Sequence, residues 1–194
     1  MRLEKASTKA IRYACMNFHY TKKVPAGASL SFSCFNNNGD WCGIIMFGYP
    51  PSPSIPKQYG LCNGQVYELR RVALNGKQEI TSAYISIAIK LFRKRIPLCK
   101  LLVSWADTSQ NHTGTIYQAT NWFYCGKNST GTEYFYNGEW KHGKAKGGWH
   151  IDFTKLPKRK STEKHRYIYP LTKELIPLCK SLSKPYPKKH AAEA

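Results

Sequence analysis

The sequence predicts an α/β domain, with the α+β character of a mixed, twisted central sheet flanked by helices. Residues 101–106 form a nearly continuous apolar run, which is typical of a strand buried on both faces. Residues 30–35, where apolar residues alternate with Ser, and the strand-like run 41–49 flank a turn at 36–40 and predict an antiparallel hairpin. Hairpin and crossover segments within 194 residues favour a mixed sheet in a single domain.

Helical periodicity predicts three helices. Apolar residues at Ile11, Ala14, Cys15 and Phe18 predict an amphipathic helix near the N-terminus. A full apolar stripe predicts a longer central helix over about 79–95. The residues at 116, 119, 120 and 123 also fall at helical spacing and predict a helix after the buried strand.

Residues 65–74 (QVYELRRVAL) predict a strand with Glu68 and Arg70 on one face and Arg71 on the other, because side chains alternate along a strand. Charges inside such a strand are costly to bury unless they are paired, so they indicate a polar cleft or a structural ion pair. Further strands are predicted at 133–136 and 166–169, and a short helix at 172–182.

The predicted order places strand 65–74 and its helix beside strand 101–106 and its helix. This layout is similar to the Gcn5-related acetyltransferase (GNAT) fold. In that fold the strand before the central helix splays from the next strand, and an acyl donor lies in the wedge between them.

The charge predicts a polyanionic partner. Thirty Lys and Arg against eleven Asp and Glu give a net charge of +19, and residues 141–194 carry 14 basic and 4 acidic residues. We expect one domain over 1–194, in which 141–194 is a basic C-terminal extension that binds nucleic acid, although such a tail can also be only solvating. The candidate contacts are Lys141, Lys144, Lys146, Arg159, Lys160, Arg166, Lys188 and Lys189.

Cysteine usage predicts a reducing compartment. The seven cysteines are an odd number without a C-x-x-C pair, which favours neither a disulfide framework nor a structural zinc site. The sequence has no signal-like N-terminal segment and no apolar run of about 18 residues. The prediction is a cytoplasmic protein that does not use a membrane.

Several short motifs occur together in a familiar order. They are FHYTKK at 18–23, YELRRVAL at 67–74, VSWADTSQNHTGTIYQATNW at 103–122, HRYIYPL at 165–171 and KPYPKK at 184–189. Together they resemble the Mom family of phage DNA-modification enzymes. The resemblance implies a GNAT-like acyltransferase, acting in the host bacterial cytoplasm, that converts adenine in double-stranded DNA to N6-carbamoylmethyladenine and so shields phage DNA from restriction.

The resemblance also implies site residues. It assigns the family's His-Tyr pair to His19 and Tyr20, its Asp to Asp107, its helix Tyr to Tyr117 and its strand Arg to Arg70 or Arg71. In the family His19, Tyr20 and Asp107 would form an iron site, since imidazole, phenolate and carboxylate suit iron. From the residues alone, Asp107 either caps a turn or handles the substrate amine. Tyr117 either packs at the core edge or acts in catalysis, and Glu68 completes the expected cleft.

The donor is less well defined by the sequence. The acetyltransferase pyrophosphate signature, Arg/Gln-x-x-Gly-x-Gly/Ala, is absent after Arg71, where the chain reads VALNGKQEITSA. We expect the acyl donor to bind near Asn75, Gly76 and Ser82. The donor is either glycyl-tRNA or acetyl-coenzyme A, so tRNA is a second candidate partner. His112 and Tyr49 are secondary site candidates. Stacking platforms for a flipped base are expected among the tryptophans, most of which should lie in the core: Trp41, Trp105, Trp122, Trp140 and Trp149.

Two functional alternatives stay open at this point. One is a non-catalytic nucleic-acid-binding protein, and the other is a coenzyme-A-dependent N-acetyltransferase with another substrate. The sequence leaves the oligomeric state open between monomer and homodimer.

Overall fold

The computed structural model describes residues 1–128, 130–142 and 152–188. The strands are β1 (Arg2–Lys5), β2 (Ala28–Phe35), β3 (Trp41–Gly48), β4 (Val66–Leu74), β5 (Leu101–Asp107), β6 (Phe123–Lys127), β7 (Thr132–Tyr136), β8 (Glu139–His142), β9 (Lys158–Lys160) and β10 (Lys164–Pro170). The α-helices are α1 (Thr8–Asn17), α2 (Ser54–Lys57), α3 (Thr81–Arg95), α4 (Thr115–Gln118) and α5 (Ile176–Leu182).

A seven-stranded mixed sheet organises the molecule, with the strand order β1-β2-β3-β4-β5-β10-β6. Strands β1 to β4 form an antiparallel meander, β5 joins β4 in parallel, and β10 lies antiparallel between β5 and β6. The segment expected as a C-terminal extension thus contributes a buried inner strand of this sheet. A second sheet has three strands in the order β8-β7-β9.

Helices cover both faces of the large sheet. Helix α1 buries Ala14 and Cys15 against Ile44, Met46 and Ala73 on one face. Helix α3 packs on the opposite face, where a larger core includes Phe47, Leu69, Tyr84, Phe92 and Trp122. Helices α2 and α5 cover a third cluster around Val66, Val103 and Ile168. The predicted central helix and the hairpin are confirmed.

The helix predicted over residues 116–123 is wrong in extent. Helix α4 is a single turn that ends at Gln118, and Phe123 begins strand β6. The chain reverses because Asn121 adopts a φ of +60° and the backbone N–H of Trp122 donates to Tyr117 O. Strand β1 was not predicted, since its sequence RLEK has no apolar alternation.

Within the described ranges, none of the helices has the length and apolar character that a membrane span requires.

Candidate active site

The site lies where two parallel strands separate. Strands β4 and β5 pair only at three positions, from Val66 with Leu101 to Glu68 with Val103, although both strands continue further. A cleft of about 1440 Å³ opens at this separation. Its lining includes His19, Tyr20, Gln58, Tyr59, Glu68, Arg70, Arg71, Trp105, Asp107, His112, Tyr117, Lys127, Lys164 and Arg166. The catalytic candidates predicted from the sequence therefore share one cleft.

A β-bulge brings three charges of β4 together. The register between β3 and β4 shifts between Met46 and Phe47, which pair with Arg71 and Leu69 and leave Arg70 as the extra residue. Beyond the bulge Val72 and Leu74 pack on the α3 side with Leu69, whereas Ala73 packs on the α1 side. Arg71 therefore lies on the same face as Glu68, and its predicted opposite placement is wrong.

The two arginines have different surroundings. Arg70 donates to Ala26 O, and its Nε lies 3.2 Å from Glu68 Oε2 in a largely buried ion pair. Burial raises the pKa of Glu68 even though both arginines oppose this shift. Arg71 donates from Nη1 to Arg70 O at 2.8 Å, while its buried Nε has no hydrogen-bond partner among the described residues. Of these two arginines, Arg71 is the one with spare hydrogen-bonding capacity.

Tyr117 lines the cleft through a nearly buried side chain. Ser104 Oγ lies 2.7 Å from both Leu69 O and Tyr117 Oη. Because the carbonyl can only accept, the Ser104 proton goes to Leu69 O and the Tyr117 hydroxyl donates to Ser104. Burial raises the pKa of Tyr117 to about 12, so the phenol is protonated at neutral pH. Tyr117 also packs against Trp122 and Tyr167, so it has a structural role in addition to its place in the cleft.

Asp107 uses its two oxygens differently. Oδ1 accepts from the backbone N–H of Ser109 at 3.0 Å and from its hydroxyl at 2.7 Å, which is the cap predicted as one alternative. Oδ2 accepts from the Tyr20 hydroxyl at 3.2 Å and lies 3.8 Å from Lys164 Nζ. Burial opposes ionisation, but the Ser109 hydrogen bonds, Lys164 and Tyr20 outweigh it and lower the pKa of Asp107. One oxygen of an ionised carboxylate faces the cleft.

His19 and His112 both line the cleft. The His19 ring stacks on Tyr20 with centroids 4.4 Å apart, and His112 meets the edge of Tyr20 at 5.6 Å. Burial, followed by the charges of Arg71 and His112, lowers the pKa of His19 to about 4. His19 is a neutral imidazole at neutral pH, and its Nδ1 lies 2.9 Å from Thr21 Oγ1.

The arrangement does not support the iron site predicted at His19, Tyr20 and Asp107. Burial and Asp107 raise the pKa of Tyr20 to about 12, and its hydroxyl donates to Asp107 Oδ2. In the described parts of the chain, no group of three or more His, Cys, Asp and Glu residues could hold a metal. Tyr20 and Asp107 are instead joined by a hydrogen bond, and the His19 ring stacks on Tyr20.

The predicted donor-end residues lie outside the lining of this cleft. Asn75 is engaged on both sides of its amide, donating to Trp41 O at 3.3 Å and accepting from the Lys77 N–H at 3.0 Å. Gly76 lies in the turn before α3, and Ser82 in its first turn. The Glu79 carboxylate just before α3 accepts from the Asn37 N–H at 2.7 Å and from Tyr84. A carboxylate at this position opposes pyrophosphate binding.

The predicted nucleic-acid contacts are dispersed. Lys141, Arg159 and Lys160 belong to the three-stranded sheet, where Arg159 pairs with Glu133 at 2.9 Å and stacks on Trp140. Arg166 lines the cleft, and Lys188 lies in the segment after α5. Lys144, Lys146 and Lys189 lie outside the described residues.

Sequence reasoning missed Ser104 and Lys164 as site residues. Lys164 reaches Asp107 because β10 pairs with β5 in a register that sets these two residues opposite each other. Alternation along β5 is enough to place Trp105 on the same face as Asp107. It cannot show that β10 lies beside β5, so Lys164 could not be found in this way.

The fold is also found in solved acetyltransferase structures. A putative phosphinothricin N-acetyltransferase superposes with a TM-score of 0.54 at 8% identity, covering 89% of this chain and 99% of that one. A Bacillus subtilis acetyltransferase in complex with CoA gives 0.51 at 10% identity, over 88% and 99%. A Vibrio cholerae spermidine N-acetyltransferase gives 0.52 at 10% identity, over 92% and 99%. The architecture, with its separation of β4 from β5, is therefore the GNAT fold predicted from the sequence.

Sequence comparison then defines the family. The model of the Mom protein family matches residues 1–188, so the chain belongs to this family. A curated relative, the methylcarbamoylase mom of Escherichia phage Mu, is 28% identical over 146 residues, which is 73% of this chain. The match covers 60% of that relative.

Proposed function

We propose that this protein transfers an acyl-type group to the N6 amine of adenine in double-stranded DNA, and that the product is N6-carbamoylmethyladenine, which protects phage DNA from host restriction. The observation that carries the proposal is the cleft between β4 and β5, where Asp107, Tyr117 and Arg71 line one space in a chain of net charge +19. Membership of the Mom family and the name of the phage Mu relative support a transferase of this kind.

Asp107 handles the acceptor amine in this proposal. The lone pair of adenine N6 is delocalised into the ring, so the amine must lose a proton as it attacks. Oδ2 of Asp107 accepts a hydrogen bond from the amine, since Ser109 already engages Oδ1. Tyr20 and Lys164 keep the carboxylate ionised and in position.

Tyr117 and Arg71 act on the donor side. The Tyr117 phenol is protonated, and when the donor binds its hydroxyl turns its one proton from Ser104 to the leaving group, whose bond to the acyl carbon then breaks. Arg71 is better suited than Arg70 to hold the donor, because Arg70 is engaged by Glu68 and Ala26. Its guanidinium fits a carbonyl or phosphate oxygen.

Atom balance favours a glycyl ester of tRNA as the donor. Adenine N6 attacks the glycyl carbonyl, the ester C–O bond breaks, and the amine proton ends on the released ribose hydroxyl. The resulting N6-glycyladenine is an isomer of N6-carbamoylmethyladenine: the free glycyl amine attacks C6, the original C6–N6 bond breaks, and the released nitrogen becomes the amide nitrogen of the product, so no atom is added. An acetyl group lacks the required nitrogen, and its conversion would need a nitrogen source and an oxidant.

A coenzyme-A donor is the second candidate, favoured by the B. subtilis acetyltransferase solved with CoA on the same fold. The two donors are separated by incubating purified protein with DNA and either charged glycyl-tRNA or acetyl-coenzyme A alone. Nucleosides from the digested DNA are then analysed by mass spectrometry. Modified adenine with glycyl-tRNA only is the expected result.

DNA from cells that express the protein provides the test of function itself. We expect adenine that is heavier by one carbamoylmethyl group with the wild type and unmodified adenine with Asp107→Ala. If the wild type binds DNA tightly but leaves every nucleoside unmodified, the protein is a nucleic-acid-binding module and the proposal is wrong.

A further inference from the structure

The geometry points to a pocket for the acceptor base, taken out of the DNA stack and laid on the indole of Trp105 between Arg166 and Gln58. This inference rests on the proposed function, which makes a base the acceptor. It adds where that base lies and which side chains hold it.

Trp105 provides a floor beside Asp107. Within β5, Trp105 and Asp107 are only partly buried, whereas the other five residues are buried. Two positions apart on one strand, the two side chains lie on the same face about 7 Å from each other. A purine stacked on the indole can therefore present its exocyclic amine to Asp107.

Arg166 provides a positive charge beside this floor. It is the register partner of Trp105 across the β5–β10 pair and lines the same cleft. No carboxylate of the described residues forms an ion pair with it, and its Nη1 makes only a 3.4 Å contact with Gln58 Oε1. A cation without a carboxylate partner suits the phosphate of the extruded nucleotide.

The turn that follows α2 closes the other side. Gln58 is exposed and carries an amide that can donate to and accept from the edge of a base. Next to it, Tyr59 is 6% exposed, lines the cleft, and has a buried hydroxyl without a hydrogen-bond partner in the described parts of the chain. A buried hydroxyl without a partner is costly, and a ligand in the pocket would remove that cost.

The chemistry of this pocket favours a nucleotide over a simple phosphate. A phosphate needs cations only, whereas here an indole, an amide and a phenol adjoin the cation. Aromatic faces combined with cations are the usual means of holding unstacked bases.

The test uses the full chain and a deoxythymidine oligonucleotide with one central 2-aminopurine, a fluorescent isomer of adenine. Fluorescence anisotropy reports binding, and 2-aminopurine emission reports stacking. With the wild type we expect quenching of the emission on saturation. With Trp105→Ala we expect that quenching to be lost and the affinity to fall about 5- to 150-fold, the range typical of one base stacked on an aromatic ring.

Two further variants control the result. Trp105→Phe restores part of the quenching and most of the folding stability, so a folding defect of Trp105→Ala cannot account for the effect. Trp140→Ala removes an indole from the three-stranded sheet, outside the cleft lining, and leaves the quenching of bound probe unchanged. If folded Trp105→Ala binds and quenches like the wild type, the pocket is wrong and the anion-binding residues alone hold DNA.

The outcomes also separate this inference from the proposed function. Trp105-dependent quenching by a protein that leaves adenine unmodified would keep the pocket and overturn the transfer reaction. Modified adenine without Trp105-dependent quenching would keep the reaction and overturn the pocket.

Discussion

Replacing Tyr117 with Phe separates a catalytic role of this side chain from its role in packing. The change removes one hydroxyl from a side chain that is 7% exposed and keeps its ring contacts with Trp122 and Tyr167. Ser104 continues to donate to Leu69 O at 2.7 Å, so only one acceptor position on Ser104 loses its partner. A loss of this kind costs about 1 kcal/mol of unfolding free energy.

The expected effect on the reaction is far larger. If the Tyr117 phenol donates to the leaving group, its removal lowers the rate of transfer by about 100- to 10,000-fold. The loss of stability corresponds to a fall of only about 2–4 °C in Tm for a domain of this size. At a temperature well below the transition, folded Tyr117→Phe should therefore be nearly inactive. The assay is the initial rate of adenine modification, set beside urea and thermal unfolding of the same preparation.

Tyr167→Phe is the matched control. Tyr167 is a fully buried phenol whose ring lies 4.9 Å from that of Tyr117, and its hydroxyl donates to Thr113 O. It does not line the cleft. Tyr167→Phe should lose similar stability and keep its activity. Equal activity of the two variants would refute the donor role of Tyr117 and leave it a packing residue.

Four further outcomes follow from the structure. Asp107→Asn keeps the acceptor for Ser109 but loses the charge, so transfer should fall by about 100-fold or more with DNA affinity retained; normal rates would exclude Asp107 as proton acceptor. Gly114→Ala should unfold at much lower urea, because Gly114 has a φ of +80° and a Cβ there would lie 2.4 Å from the Tyr167 ring; an unchanged midpoint would contradict this packing. Burial and the charge of Lys127 hold the pKa of His165 below its usual 6.5. The unfolded chain therefore binds a proton more readily than the folded one, and the free energy of unfolding should decrease as the pH falls below 6.5. His165→Gln should weaken this dependence of the unfolding free energy on pH, measured by urea titrations at several pH values. DNA affinity should fall steeply with salt in a plot of log K against log salt concentration, and a flat plot would exclude the basic surface as the DNA contact.

Local patterns were sufficient to predict most of the fold. The strand predicted at 65–74 is Val66–Leu74, the central helix predicted over 79–95 is Thr81–Arg95, and the buried run became β5. These elements carry strong, uninterrupted periodicity, and their parallel neighbourhood follows from the crossover connection. The helix predicted after Gly114 was too long because a stripe of only a few apolar residues fits both a helical turn and the start of a strand. The left-handed conformation of Asn121, which the stripe does not reveal, ends the helix and allows the strand to begin.

The site could be predicted as a set of residues but not as a geometry. Motif resemblance identified His19, Tyr20, Asp107 and Tyr117, and the structure brings all of them into one cleft. The position of Arg71 depends on a bulge set by pairing with β3, and alternation along β4 alone predicts the wrong face. Such features arise between strands distant in sequence, so no local pattern contains them.

The charges of the cleft are consistent with the binding of a polyanion that carries the reacting amine. Glu68 is held between two arginines, and its raised pKa shows that burial opposes its charge. Asp107 keeps its charge because hydrogen bonds and Lys164 stabilise it. The carboxylate that remains ionised is thus bordered by Lys164 and, two residues further along β10, by Arg166. In the proposed function a phosphate backbone approaches these cations while the amine of its base reaches Asp107, so that proposal reconciles the strong positive charge of the chain with an ionised carboxylate in one site.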